Sequence, residues 1–207
     1  MSFINYEIVS DLADKRVIKS RKAIFKSLVH LLAEKPVDRI SVSELCTLAS
    51  ISRNTFYSQF KSVRSAFESM EVHIIISYLK MLFENNILSY GTFHPAGFIL
   101  YTDKLRNDYR KGFDAIYHEV HNTSFFRQLG IQVELMGESF YKNSERGPDN
   151  FPGHYISALI FSITGLMNMY FDWIDNGEIV SVQDLASLAE ELLTDSLSKL
   201  VNNRPEW

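Results

Sequence analysis

A chain of 207 residues that is 46% hydrophobic and 22% charged has room for one large or two small domains and the composition of a soluble globular protein. Its single cysteine, Cys46, excludes an internal disulfide framework and suits a reducing cytoplasm. The net charge of −4 conceals a split, because residues 1–65 hold 11 Lys and Arg against 6 Asp and Glu. The remainder is acidic, and asymmetry of this kind points either to a polyanion meeting the basic part or to an unevenly charged solvated surface.

The first residues carry Glu7, Asp11 and Asp14 without a basic start or an apolar core, so no secretory signal is expected there. From Arg16 to Lys35 the residues Ile24, Phe25, Leu28, Leu31 and Leu32 fall on one helical stripe, while Lys15, Arg16, Lys19, Arg21, Lys22 and Lys26 crowd the first half. Pro36 stops that helix, since it lacks the N–H that a continuing helix needs. Ser41 is the predicted N-cap of a short helix over 41–49, with Glu44 completing a capping box and Val42, Leu45, Cys46 and Ala49 forming its apolar side. After a turn at Ser50-Ile51, Ser52 caps a second short helix to Phe60, with Phe56 and Phe60 on one face. A fourth helix runs from about Lys61 to Asn85 with Val63, Phe67, Met70, Ile74 and Met81 inward.

Beyond a loop-like stretch with Gly91, Pro95 and Gly97, helical pattern resumes over about 97–107, 109–120 and 123–143. Residues 142–153 read as a loop. A long helix over 154–175 ends at Asn176-Gly177, and Ser181 caps a last one over 181–201 with Val182, Leu185, Ala189, Leu192, Ser196 and Leu200 near one seam. The most apolar run, Tyr155–Phe171, is interrupted by Ser157, Ser162, Thr164, Gly165 and Asn168 and reads as a buried helix, so no membrane span is expected. No strand alternation, repeat or low-complexity tract stands out. The predicted class is all-α.

Two short helices joined by so brief a turn cannot make a core, but with the 16–35 helix behind them they fit a helix-turn-helix. Val42, Leu45, Phe56 and Phe60 would pack against Phe25 and Leu28, leaving Arg53, Asn54, Thr55 and Ser58 to face base edges in a major groove. A plain helical hairpin within a bundle satisfies the same spacing. The stretch SVSELCTLASISRNTFYSQFKS decides between them, because it resembles the DNA-binding signature of the TetR family of bacterial transcriptional regulators. The Ser-Arg-x-Thr-Phe-Tyr core and the Phe-Lys-Ser exit carry the likeness, which is specific over about residues 16–70. Farther on, GLMNMYFDWIDNG before a final amphipathic helix is a weaker similarity to a divergent ligand-binding and dimerisation domain.

The resemblance implies a helix-turn-helix domain over 1–62 and a helical ligand-binding and dimerisation domain over 63–207. It implies that Arg53, Asn54 and Thr55 touch bases or nearby phosphates, that Tyr57 donates its hydroxyl to a phosphate, and that Lys61 makes a phosphate contact. Ser41 and Ser43 stand at a helix N-terminus, which suits an anion as well as it suits a cap. Two positions depart from the family pattern: Ser50 stands where glycine is usual, and Val63 where a basic residue is common. A role as a partner of another protein instead of operator DNA rests on those two departures.

A single recognition helix reads too few base pairs to be selective, so a homodimer on a palindromic operator is expected, joined through the helices over 154–175 and 181–201. The aromatic-rich middle is where the family encloses an inducer, and an uncharged or amphipathic effector is expected there. Phe98, Tyr101, Phe113, Tyr117, His121 and Phe161 are its candidate lining. The outcome most common in the family is repression. His118 and His121 are spaced to share a helix face, but no third ligand has suitable spacing, so no metal is expected. With no phosphate loop and no nucleophile elbow, neither a cofactor nor an enzymatic activity is expected.

Overall fold

A computed structural model describes residues 15–89, 92–120, 123–142 and 153–202. The absence of a signal over the first residues, residues 143–152 of the expected 142–153 loop and the candidate His121 therefore lie outside the described residues. The fold is all-α, with a single two-stranded ladder among the described residues. Packing divides the chain into two compact units, one of residues 1–77 and 108–125 and one of residues 78–107 and 126–207.

In the first unit, α1 (Lys15–Leu32) buries Ile24, Phe25, Leu28, Leu31 and Leu32 and turns Lys15, Lys19, Lys22 and Lys26 to water. It ends three residues short of the expected Lys35, because the N–H groups of Glu34 and Lys35 both donate to the Leu31 carbonyl and close a turn ahead of Pro36. A 3₁₀ turn, Val37–Arg39, follows. Helix α2 (Val42–Ala49) buries Leu45, Cys46 and Ala49, whereas Val42 is half-buried. Helix α3 (Arg53–Tyr57) stops three residues before its expected end. Phe60 is nevertheless inside, because its N–H donates to the Phe56 carbonyl from a turn that sets its ring 5.7 Å from Phe56 and 6.1 Å from Phe25.

Ser62 and Ser65 start α4 (Val63–Glu84) by reciprocal backbone-to-hydroxyl bonds of 3.0 and 3.1 Å. This helix is apolar on several sides, the pattern of a helix enclosed in a core. Its residues up to Ser77 belong to the first unit and the rest to the second. Helix α6 (Arg110–Val120) packs on α1, and its Glu119 carboxylate accepts the Val37 N–H at 3.1 Å.

In the second unit the stretch expected to be a loop contains β1 (Leu88–Ser89) and β2 (Thr92–Phe93), paired antiparallel. Two residues per strand are too few to show an alternation in the sequence. Helix α5 (Pro95–Asp108) begins with the Ala96 N–H donating to Glu190 of α9 (Val182–Asn202) at 2.9 Å. Helices α7 (Thr123–Lys142) and α8 (Gly153–Asp175) approach closely at Gly130 and Gly137, where a Cβ would stand 3.4 and 3.0 Å from Ile160 and Ile156. Helix α8 packs on α9, and Gly177 ends it with φ +79° as expected of a C-terminal glycine. Ser181 caps α9 by accepting the Asp184 N–H at 3.1 Å. Arg106, buried on α5, donates to Glu178 at 2.6 Å, and the Tyr170 hydroxyl donates to Asp103 at 2.9 Å. These bonds tie α5 to the corner between α8 and α9. In the expected α9 seam Leu185 and Ala189 are buried, Leu192 is exposed, and the side chains of Ser196 and Leu200 lie outside the described ones. No helix among the described residues is long and apolar enough to cross a membrane.

Candidate nucleic-acid interface

The two short helices meet at Ser50, whose φ of 54° and ψ of 44° are left-handed. This conformation lets the N–H groups of Ser50 and Ile51 return to the carbonyls of Thr47 and Cys46 and turns the chain into α3. A residue with a Cβ adopts it at a cost that glycine avoids. Ser41 caps α2 by accepting the Glu44 N–H at 3.2 Å, and Ser52 caps α3 by accepting the Thr55 N–H at 3.0 Å. The return half of the expected capping box is absent. Glu44 instead accepts from Lys35 Nζ at 2.6 Å, a bond that holds its carboxyl below the usual pKa.

The inner face of the motif is apolar: Leu28, Leu45 and Phe56 are fully buried, and Phe25 and Phe60 nearly so. The outer face is made by the candidate residues themselves. Arg53 and Asn54 are exposed at the start of α3, and Tyr57 is 57% exposed with its ring edge-on to Phe56 at 5.6 Å. Arg53 donates to Ser43 Oγ at 2.7 Å, which brings together two candidates ten residues apart. Thr55 is half-buried, with its hydroxyl 2.9 Å from Ser52 Oγ, and Ser58 donates its hydroxyl to the Thr55 carbonyl at 2.8 Å. The hydroxyls of Thr55 and Ser58 thus serve the helix ends, and the outward probes are Arg53, Asn54 and Tyr57. Lys61 is exposed just past the exit.

No Asp or Glu occurs between Glu44 and Glu68, so this face carries positive charge without internal compensation from its own segment. Ser41 and Ser43 line an open groove between α1 and α2 that also holds His30, Glu34, Thr47 and Leu48. Val63, where a basic residue is common, is buried as the first residue of α4, so packing explains its apolar character. Arg64 is engaged with Asp38 at 2.6 Å and lies over the Phe67 ring.

Sequence reasoning overlooked Ser20 and Gln59. Gln59 Nε2 donates to Ser20 Oγ at 2.7 Å and ties the exit of α3 to the second turn of α1. The pair lies 39 residues apart, and neither side chain belongs to an apolar stripe that would have flagged it.

The candidate effector residues fall in both units. Phe98 is fully buried in the second, against Tyr78 at 5.8 Å and Phe93 at 5.9 Å, and the half-buried Tyr101 accepts from Asn85 at 3.0 Å. Phe113 and Tyr117 are stacked at 5.4 Å in the first unit. Phe161 stands 71% exposed on α8 and projects into solvent. His118 is exposed, and no group of three or more His, Cys, Asp or Glu side chains suited to a metal occurs among the described residues.

No protein-family model matches the sequence, and no curated protein matches it. Among solved structures the chain is similar to a TetR-family transcriptional regulator from Streptomyces coelicolor, at 15% identity and a TM-score of 0.45 over 88% of each chain.

Proposed function

We propose that this protein is a DNA-binding transcriptional regulator that reads a palindromic operator as a homodimer. The observation that carries the reading is the acid-free outer face of α3, where Arg53, Asn54 and Tyr57 project from a helix whose inner face is locked by Phe56. The major groove admits one helix, Arg pairs with guanine and Asn with adenine through two hydrogen bonds each, and Tyr57 and Lys61 suit flanking phosphates. In this reading α2 crosses the backbone with Ser41 and Ser43 near a phosphate. The helix-turn-helix domain is drawn as 1–62 and the remainder as the assembly and effector domain.

Phe161 on α8 together with Leu188 and Leu192 on α9, 46% and 58% exposed, supplies apolar surface suited to a second copy of the chain. We place Phe161 with that surface and not with an enclosed pocket. An uncharged or amphipathic effector would bind near Phe98 and Tyr101 and lower operator affinity by favouring a dimer with wrongly spaced recognition helices, so that the protein acts as a repressor.

The test is a binding assay with duplex DNA flanking the protein's own gene. Tight binding that falls steeply with salt and that Tyr57→Phe weakens on every sequence is the expected result. Binding that does not exceed that of random duplex at any salt would favour the alternative, an interaction protein of the same fold.

A further inference from the structure

We propose that the first half of α1 is a second DNA-backbone contact surface, in which Arg16 and Lys19 bind phosphates that flank the groove entered by α3. The inference rests on the reading of α3 as the element that enters DNA.

Residues 15–26 hold six basic side chains and no acidic one. Arg21 lies over the ring of Phe60 at 5.3 Å, and Lys15, Arg16, Lys19, Lys22 and Lys26 are exposed. The bond from Gln59 to Ser20 decides where this charge lies, because it seats the second turn of α1 beside the exit of α3, two residues before Lys61. Arg16 precedes Ser20 by four residues and lies on the same side of α1, about 5–6 Å nearer its N-terminus. Lys19 is its neighbour toward solvent. Basic charge therefore continues from Lys61 to Lys19 and Arg16, past the end of the recognition helix.

The other end of α1 differs in sign. His30 and Glu34 face the open groove at the start of α2, and the nearby Lys35 is engaged by Glu44. Along α1, a polyanion laid along the outer face of α3 thus meets its cationic continuation toward the first half of the helix. The repeated phosphates of a duplex fit a row of cations better than a single small anion does.

The test uses the full chain and two duplexes, one from the DNA flanking its own gene and one of random sequence, each of about 40 base pairs so that flanking phosphates are present. Affinity is measured from low to physiological salt for the wild type, for Arg16→Gln/Lys19→Gln and for Lys26→Gln, which lies farther along α1. The expected result is a salt slope shallower by about 3.6 for the double variant on both duplexes, at ~0.9 for each of the four phosphates that a dimer no longer neutralises, with Lys26→Gln unchanged. In parallel, DNA should protect Lys19 of the wild type from acetylation and leave Lys26 reactive, a measurement that does not depend on a variant folding. A wild type that binds steeply while the double variant keeps the same slope, or a Lys19 that stays reactive in the complex, would overturn this surface and leave the α3 reading intact. A wild type without salt-dependent DNA affinity would remove both. Binding to anionic vesicles that the double variant loses, with its DNA slope unchanged, would reassign the cations to a membrane surface and sink the proposal.

Discussion

Arg53 Nη2 donates to Ser43 Oγ across 2.7 Å, linking the first turn of α3 to the first turn of α2. Both residues are exposed, so the bond adds little to stability, about 1 kcal/mol at most. Its consequence is orientation: with one guanidinium nitrogen engaged, the remaining donors can still form a two-bond contact to a guanine edge.

Arg53→Ala should lower operator affinity and relax base preference at one position by about 1–3 kcal/mol, read by competition with duplexes changed one base pair at a time. Ser43→Ala should cost less, roughly 0.5–1 kcal/mol, with preference retained at that position, because the guanidinium remains but is less restrained. Equal losses on operator and random DNA for Arg53→Ala would refute base reading by this residue.

Ser50 offers a stability test that is separate from DNA. Its left-handed backbone carries a side-chain penalty of about 1–2 kcal/mol that glycine avoids, and the greater freedom of glycine in the unfolded chain offsets part of that gain. Ser50→Gly should therefore raise stability by roughly 0.5–1 kcal/mol, and Ser50→Val should lower it, with the β-branched side chain crowding the turn. The urea midpoint at unchanged m-value measures both. Operator preference should be the same for Ser50→Gly as for the wild type, since the turn geometry is already the one glycine favours.

The helix-turn-helix was legible because its signals are local. Ser41 and Ser52 announce caps within three residues, and Val42, Leu45, Cys46 and Ala49 fall at helical spacing. The end of α3 was not legible, since Phe60 is buried equally well by another helical turn or by the tight turn that forms. The hairpin at Leu88–Phe93 escaped for want of length. Phe161 was misleading in another way: α8 is apolar on most of its circumference, so spacing cannot say which aromatic faces its own core and which faces water. Gln59 with Ser20 depends on a contact between distant segments, which sequence pattern does not encode.

Phe161 also carries the assembly prediction. A large aromatic at 71% exposure would be costly to leave wet, at about 25 cal/mol per Å² of apolar surface. Phe161→Glu should give a monomer by sedimentation equilibrium at concentrations where the wild type is dimeric, with an unchanged circular dichroism spectrum. Operator affinity should fall steeply, while the weaker affinity of a single half-site persists. A wild type that sediments as a monomer at every concentration would refute the assembly.

Glu71 makes stability depend on pH. It is 2% exposed on α4, with Oε1 lacking a hydrogen-bond partner, and His73, also buried, follows two residues on. Burial pushes its pKa up to about 7, repulsion from Glu68 and Glu119 adds to the shift, and Arg64 opposes it. A carboxyl with a raised folded-state pKa binds its proton more tightly in the native chain than in the unfolded one. Its stabilising share is therefore complete below the unfolded value of 4.5 and is lost as pH rises through about 7. Over that window the wild type should lose roughly 1–3 kcal/mol relative to Glu71→Gln, whose amide cannot ionise. Denaturant midpoints of both proteins at pH 5 and pH 8 measure the difference, and histidine titration common to the two cancels. Parallel pH profiles would show that Glu71 is solvated or paired in solution and that the charge on this stretch of α4 is carried without penalty.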